Sequence, residues 1–422
     1  MSHHLSVWEE RSSARRAWRS LALAGGVLSS SVAMVAAGGV AASSASTARL
    51  AGKPVVIGMI NQENTPAGSF PEIRQAEIAA VGYVNKKGGI SGHPLVLKTC
   101  ITDGTPATSA SCANQMVANH VLAVSIGIDF GTSGSLPVLT KARIPMIGGD
   151  PLLSPELTSK NAIFFVGGSA DAFPDQDAYI GRVLKAKKVS IIYTSNPAGT
   201  AAATTFGQNL LIKAGVPASG IKLVGAPADA TDFTPAVTAA AADNPDVIMV
   251  LFAALGCSRI MQAKESLGVT AKMFYPGSCL DKSVVQAGGA GANNAYFNSE
   301  MVPYNALGNG QVRLYRSVMT AKYGKSAVIS AYSQLGFQSV MNLAAVMGKM
   351  GNPARLTGPK ILKKFKTLKN EPSFMAHSYT CNPVPLSMFP SVCNYQNRIV
   401  RYSNGNVIDV YHNWISGSSL LG

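Results

Sequence analysis

The stretches VVIGMI (Val55–Ile60), FPEIRQAEIAAVGYVN (Phe70–Asn85) and LVLKT (Leu95–Thr99) decide the fold. The first is a short run of apolar residues with no polar alternation, which is how a strand buried on both faces reads. In the second, Ile73, Ala76, Ala80 and Val84 recur on one face of a helix, and the glycines within Lys86–Gly92 end it. The third is a strand again. Strand, helix and strand within about 30–50 residues make a βαβ unit, whose two strands run parallel.

The pattern repeats along the chain. Ser109–Asn119 reads as helix, Ala123–Ile128 as strand, Ser135–Ala142 as helix and Ile144–Gly148 as a fourth strand. It then restarts: Val189–Tyr193, Ile221–Val224, Val247–Phe252 and Lys272–Tyr275 read as strands. Thr200–Ala214, Pro235–Ala242, Ile260–Leu267 and Ser283–Ala287 are the helices between and after them. Tyr296–Met301 leads out of this unit into helices at Gln311–Tyr323 and Ala331–Met350. Arg398–Tyr402 and Val407–Tyr411 flank Asn404-Gly405, a hairpin signal that ends the chain. The region from Glu371 to Tyr395 is rich in Pro, Asn and Ser and reads as an exposed loop bracketed by two cysteines; the sequence offers no role for it. Two α/β domains, each a parallel sheet covered by helices, are the expectation. A chain of 422 residues, 47% hydrophobic, is too long for a single ordinary core.

The N-terminus reads as an export signal. Arg11, Arg15, Arg16 and Arg19 precede an apolar run, Leu21–Ala42, and the small-residue stretch Ala41–Ala48 follows, with cleavage expected after Ala45 or Ala48. An uncleaved anchor is the other reading, since the run is just long enough to span a bilayer. The first cysteine is Cys100, so the chain is not expected to be a lipoprotein. In an exported chain the six cysteines, Cys100, Cys112, Cys257, Cys279, Cys381 and Cys393, are expected to form disulfides between neighbours in sequence. Free buried thiols remain the alternative, and a zinc site is not expected, because no Cys-x-x-Cys occurs and no His lies close to a cysteine pair. The formal charge of +15 falls to +13 if residues 1–48, with four Arg and two Glu, are removed. The basic residues read as scattered, without the interleaved aromatic residues that nucleic-acid binding calls for, so no nucleic-acid partner is expected.

Four segments carry a resemblance to a known family. They are Asn85-Lys86-Lys87-Gly88-Gly89-Ile90-Ser91-Gly92, Ile144-Pro145-Met146-Ile147-Gly148, Pro155-Glu156-Leu157-Thr158, and Ala230-Thr231-Asp232-Phe233-Thr234-Pro235 followed by Asn244-Pro245-Asp246-Val247. In this order and spacing the chain resembles the type I periplasmic binding proteins, specifically the leucine/isoleucine/valine-binding branch that serves ABC importers. With the export signal taken as 1–48, the resemblance implies a first lobe of 53–169 plus 300–396 and a second lobe of 170–299 plus 397–422, joined by a three-strand hinge. It further implies a monomer outside the cytoplasm, in the periplasm or associated with the cell envelope, that delivers a small-molecule ligand to a membrane permease.

Ligands of open α/β sheets bind off the carboxyl ends of the strands. That rule nominates Asn61, Gln62 and Glu63 after the first strand, Asp129, Gly131, Thr132 and Ser133 after the third, and Gly149 and Asp150 after the fourth. From the second unit it nominates Asn196, Phe252 with Ala253, and Ser278. Thr132, Ser133 and Gly149 match positions where the family binds a carboxylate. The chain departs from the family where amino-acid binders place an acid for the ammonium, after Met273–Tyr275, because Gly277-Ser278 stands there. It departs again where they place aromatic residues, since Ala198 and Ala253 stand there. An amino-acid-like solute, an amide or an organic acid are all compatible with this set. No enzyme is expected: Gly131-Thr132-Ser133-Gly134-Ser135 has the wrong spacing for a nucleophile elbow, and no phosphate-binding or metalloprotease motif occurs. No cofactor is implied. A ligand-sensing receptor and a wall-associated protein with the same fold are the competing functions.

Overall fold

The computed structural model describes residues 50–65, 68–252 and 254–422, so the export reading lies outside the described residues. The first sheet has five parallel strands: β1 (Val55–Gln62), β2 (Leu95–Thr102), β3 (Val124–Ile126), β4 (Met146–Ile147) and β5 (Ala162–Ile163). Their order is β2-β1-β3-β4-β5. All but one residue of β1 is buried, as its unbroken apolar run requires. Three helices connect the first four strands, α1 (Pro71–Lys86), α2 (Pro106–Ala118) and α3 (Thr132–Lys141), and a five-residue helix, Ser154–Thr158, lies between β4 and β5. Helix α1 starts on Pro71 and buries Ile73, Ala76, Ala80 and Val84, the face the sequence marks.

The helix expected from Ser135 starts three residues earlier, at Thr132, which brings Thr132 and Ser133 into its first turn. The strand expected over Ile144–Gly148 shrinks to Met146–Ile147 because Gly148 and Gly149, at φ 91° and 98°, turn the chain away. Gly149 could be no other residue, since a Cβ there would lie 1.4 Å from the Ile126 carbonyl oxygen. The two-residue β5 carries too little pattern to read from sequence.

The second sheet contains β6 (Val189–Thr194), β7 (Ile221–Ala226), β8 (Val247–Leu251), β9 (Lys272–Tyr275), β10 (Ala295–Ser299), β11 (Arg398–Ser403) and β12 (Asn406–Asp409), in the order β12-β11-β10-β9-β8-β6-β7. Its strands are parallel except at β11 and β12, which form a hairpin through Asn404 and Gly405, both at positive φ. Helices α4 (Ala172–Ala178), α5 (Thr234–Ala241) and α6 (Ala254–Ser266) belong to this lobe. Separate apolar cores lie on its two faces, one around Ile248, Val250 and Met273, the other around Ile191, Met249 and Phe274.

After β10 the chain returns to the first sheet. Helices α7 (Gly310–Tyr323), α8 (Ala331–Gly348) and α9 (Gly358–Phe365) share one core with Val55, Ile57, Ile147 and Ile163. The chain then crosses back into β11. Two α/β lobes are therefore connected by three crossings, after β5, after β10 and before β11.

Three disulfides join neighbours in sequence. Cys100–Cys112 ties β2 to α2, Cys257–Cys279 ties α6 to the turn after β9, and Cys381–Cys393 closes a loop before β11. The sequence reading of an exposed loop needs correction only at its ends, for Asn382, Pro383, Pro385, Ser387 and Met388 between the cysteines are exposed. Tyr379, Cys381, Val392, Cys393 and Tyr395 are all buried. Phe164 donates its N–H to the Ser391 carbonyl at 2.8 Å and accepts the Cys393 N–H at 3.1 Å, so the loop lies along the outer strand of the first sheet. Nor does the chain end on its hairpin. Asn397 pairs with Ile415, and a short helix, Ser418–Leu421, follows.

Candidate functional site

Parallel strands deliver their carboxyl ends to one edge of each sheet, and the nominated residues fall on those edges. In the first lobe most of them are engaged with their own protein. Buried Gln62 donates to the Gly68 carbonyl at 3.1 Å and accepts the Phe130 N–H at 3.1 Å. Asn61 donates to Glu63 at 3.0 Å, and Glu63 is paired with Arg74 through contacts of 2.7 and 2.9 Å. Asp129 accepts from Thr102 at 2.9 Å, from Ser109 at 2.6 Å and from the Gly131 N–H at 3.0 Å, which occupies the carboxylate with positioning its own loop. Gly149 donates its N–H to the Ser339 hydroxyl of α8 at 3.0 Å. Thr132 is buried and Ser133 exposed in the first turn of α3.

The second lobe's candidates are simpler. Asn196 is exposed and caps the helix Pro197–Ala202, accepting from the Gly199 N–H at 2.7 Å. Phe252 is buried edge-on against Phe233, their ring centroids 5.1 Å apart. Ser278 is exposed in the turn after β9. Ala253, named beside Phe252, lies outside the described residues.

Two nominated side chains, the Thr132 hydroxyl and Asp150, have a buried oxygen without a hydrogen-bond partner. In Asp150 that oxygen is Oδ1, and burial raises the carboxyl to about 7. Around it stand groups that the sequence did not single out. Glu300, just past β10 on the second crossing, accepts the Gly168 N–H of the first crossing at 2.7 Å. Burial, with the charges of Asp150 and Asp171 behind it, holds the Glu300 carboxyl well above the usual range. Asp171, on the same crossing as Gly168, is pushed up by burial and then by Asp175 and Asp150. Asp175 accepts from the Asn397 amide of the third crossing at 2.8 Å. Each crossing thus places a polar side chain in one buried, predominantly acidic group.

Tyr332 stands in the first turn of α8. Its ring meets Phe70 edge-on at 5.1 Å, and its phenol is raised by burial first and then by the carboxylates of Asp150, Asp281, Glu72 and Glu300. Glu72 belongs to the first lobe and Asp281 to the second. Glu72 is itself raised by burial and, more weakly, by Asp281. Acidic groups of both lobes thus lie within electrostatic reach of one another and of Tyr332. The acid that the sequence lacks directly after β9 stands a few residues further on, at Asp281, where it also caps the helix Lys282–Gly288 by accepting the Ser283 N–H at 2.7 Å. Glu156 packs nearby. It accepts the N–H groups of Leu152 and Leu153, both at 2.8 Å, yet burial still lifts it to about 8.

The chain matches a family model described as periplasmic binding protein over residues 54–382. The Leu/Ile/Val-binding protein homolog 3 of Brucella melitensis is 28% identical over 159 residues, which is 36% of this chain and 42% of that protein. The Leu/Ile/Val-binding protein BraC3 of Rhizobium johnstonii is 26% identical over 168 residues, 39% of this chain and 46% of the relative. The aligned region therefore spans less than half the length of either. A leucine-binding protein of Thermotoga maritima superposes with a TM-score of 0.65 at 16% identity, covering 86% of this chain and 99% of that one. The branched-chain amino acid transporter substrate-binding protein of Streptococcus pneumoniae, solved in complex with isoleucine, gives 0.65 at 19% identity over 86% and 99%. At such identities the structural likeness is one of fold.

Proposed function

Because the chain belongs to the periplasmic binding protein family, we propose that it is an exported, monomeric solute-binding protein that closes on a small polar molecule and passes it to an ABC importer. The lobes we assign are 53–169 with 300–396 and 170–299 with 397–422. This division keeps every strand of each sheet in one lobe. Binding is the whole task on this reading, with no bond made or broken.

What supports the reading is that Glu72, Asp150, Asp281 and Glu300, from both lobes and a crossing, all lie within electrostatic reach of Tyr332. Carboxylates gathered without a matching cation are costly until one arrives, and aromatic faces favour cations as well. Arg74 of α1 is already committed to Glu63. The solute is therefore an organic molecule carrying a positively charged nitrogen, amino-acid-like in the simplest case. The names of the relatives point the same way. Closure follows as a hinge motion, in which the solute favours the closed state because only there do both lobes touch it.

A thermal-shift panel of branched-chain and other amino acids, amines, amides and organic acids tests this. A true ligand at a hundred times its dissociation constant stabilises the folded chain by about 2.7 kcal/mol. Hits confined to amine-bearing compounds support the proposal. Hits confined to anions, or none across the panel, refute it.

A further inference from the structure

We propose that an apolar groove walled by both lobes, which shares no residue with the cleft candidates, is a second binding site, for a single-chain amphiphile with an anionic head such as a long-chain carboxylate. The groove encloses about 500 Å³. One wall is the helical run from Pro197 to Lys213, through Phe206, Ile212 and Lys213; a second is the chain's last helix, Ser418–Leu421, through Leu420. The third wall comes from the other lobe. It is Met388 and Phe389, in the loop closed by Cys381 and Cys393, for which the sequence offered no role. Phe389 is anchored on its own side, against the small core of Leu157, Ala170, Val392 and Tyr395.

Exposed apolar side chains scattered singly over a surface need no explanation, but gathered ones do. Of the eleven large apolar residues exposed among the described residues, three line this groove: Phe206 at 40%, Ile212 at 40% and Met388 at 55%. Phe206 also lies in a π-helical stretch, Ala203–Gln208, a rare form that recurs at functional sites. Met388 is unbranched and adapts to apolar partners of varied shape.

Charge decides the class of occupant. Lys213 is the one charged residue of the lining, and among the described residues no carboxylate pairs with it. Its ammonium donates to the Leu420 carbonyl at 2.8 Å, which leaves further hydrogens for an anion. A long apolar body beside one unpaired cation fits a carboxylate on a hydrocarbon chain. The volume falls within the roughly 300–1,000 Å³ of small-molecule sites, whereas a stable protein partner would need about 800 Å² on each side. Because the walls come from both lobes, an occupant favours the arrangement of lobes that forms the groove, which links this site to the hinge.

Calorimetry on the full chain with octanoate, decanoate and dodecanoate below their micelle concentrations tests this, with acetate and dodecyltrimethylammonium as the headgroup and chain controls. Affinity should rise by up to about fourfold per methylene, and acetate should not bind. K213Q should weaken dodecanoate about fivefold and remove its advantage over the cationic detergent. F206S/M388S should weaken it about tenfold while leaving the melting temperature of the unliganded chain in place, since both side chains are already exposed. No cleft candidate is altered, so the result is read separately from the solute panel. No binding of dodecanoate, equal binding of the cationic detergent, or binding undiminished in F206S/M388S overturns the proposal. So does a dimer that F206S/M388S dissociates, which would make the groove a contact between copies.

Discussion

Glu77 lies on the buried face of α1, fully shielded from solvent, and burial raises its carboxyl from 4.5 to about 8, opposed only by the Ser125 hydroxyl. At neutral pH the folded chain therefore keeps a proton that the unfolded chain has released. Each unit of difference is worth about 1.4 kcal/mol, so the protonation deficit at pH 7 is about 3 kcal/mol as a ceiling. The sign is fixed. This group's contribution to stability is complete below about 4.5, declines as pH rises, and is lost once pH passes about 8. Glu77→Gln keeps the shape and removes the ionisation. Denaturant unfolding of both proteins across this range should show near-equal stability at the acid end and a variant more stable by about 2–3 kcal/mol near neutrality. Parallel pH profiles would show that Glu77 does not titrate as its burial requires. A variant weaker by the same amount at every pH would mean that Gln cannot satisfy the site.

Asp150, raised to about 7 by burial, should make the affinity for a cationic solute rise as pH passes through about 7; calorimetry on Asp150→Asn should show weaker binding with that step removed. Replacing Cys257 and Cys279 by Ser should cost about 3 kcal/mol in thermal unfolding under oxidising conditions, and the loss should vanish when both proteins are fully reduced. Gly149→Ala forces a Cβ into the Ile126 carbonyl at a positive φ, and should lower the melting temperature by several degrees or abolish soluble expression.

The lobes were legible because their strands are short, apolar and separated by helices whose faces are plain, as with Ile57 in β1 and Ala80 in α1. Elements of two residues, such as β5, were not. The site was legible only as a set of loop positions. Sequence places Asp129 and Asp150 alike after strands, yet one is enclosed by three donors and the other is left without a partner on Oδ1. Glu300 and Asp171 were missed because they stand on crossings, where no strand or helix pattern points to them. Asp281 was missed because the chain after β9 turns through Gly277–Leu280 before the acid arrives. Helix α9 escaped because its eight residues begin Gly-Pro.

The loop closed by Cys381 and Cys393 has a consequence for self-association. The outer strand of an open sheet offers unpaired backbone groups to any other chain in the same state. Here the positions just past β5 are already taken by Ser391 and Cys393, and the crosslink keeps their segment from peeling back. Crowded copies are thereby denied a ribbon to extend on this side.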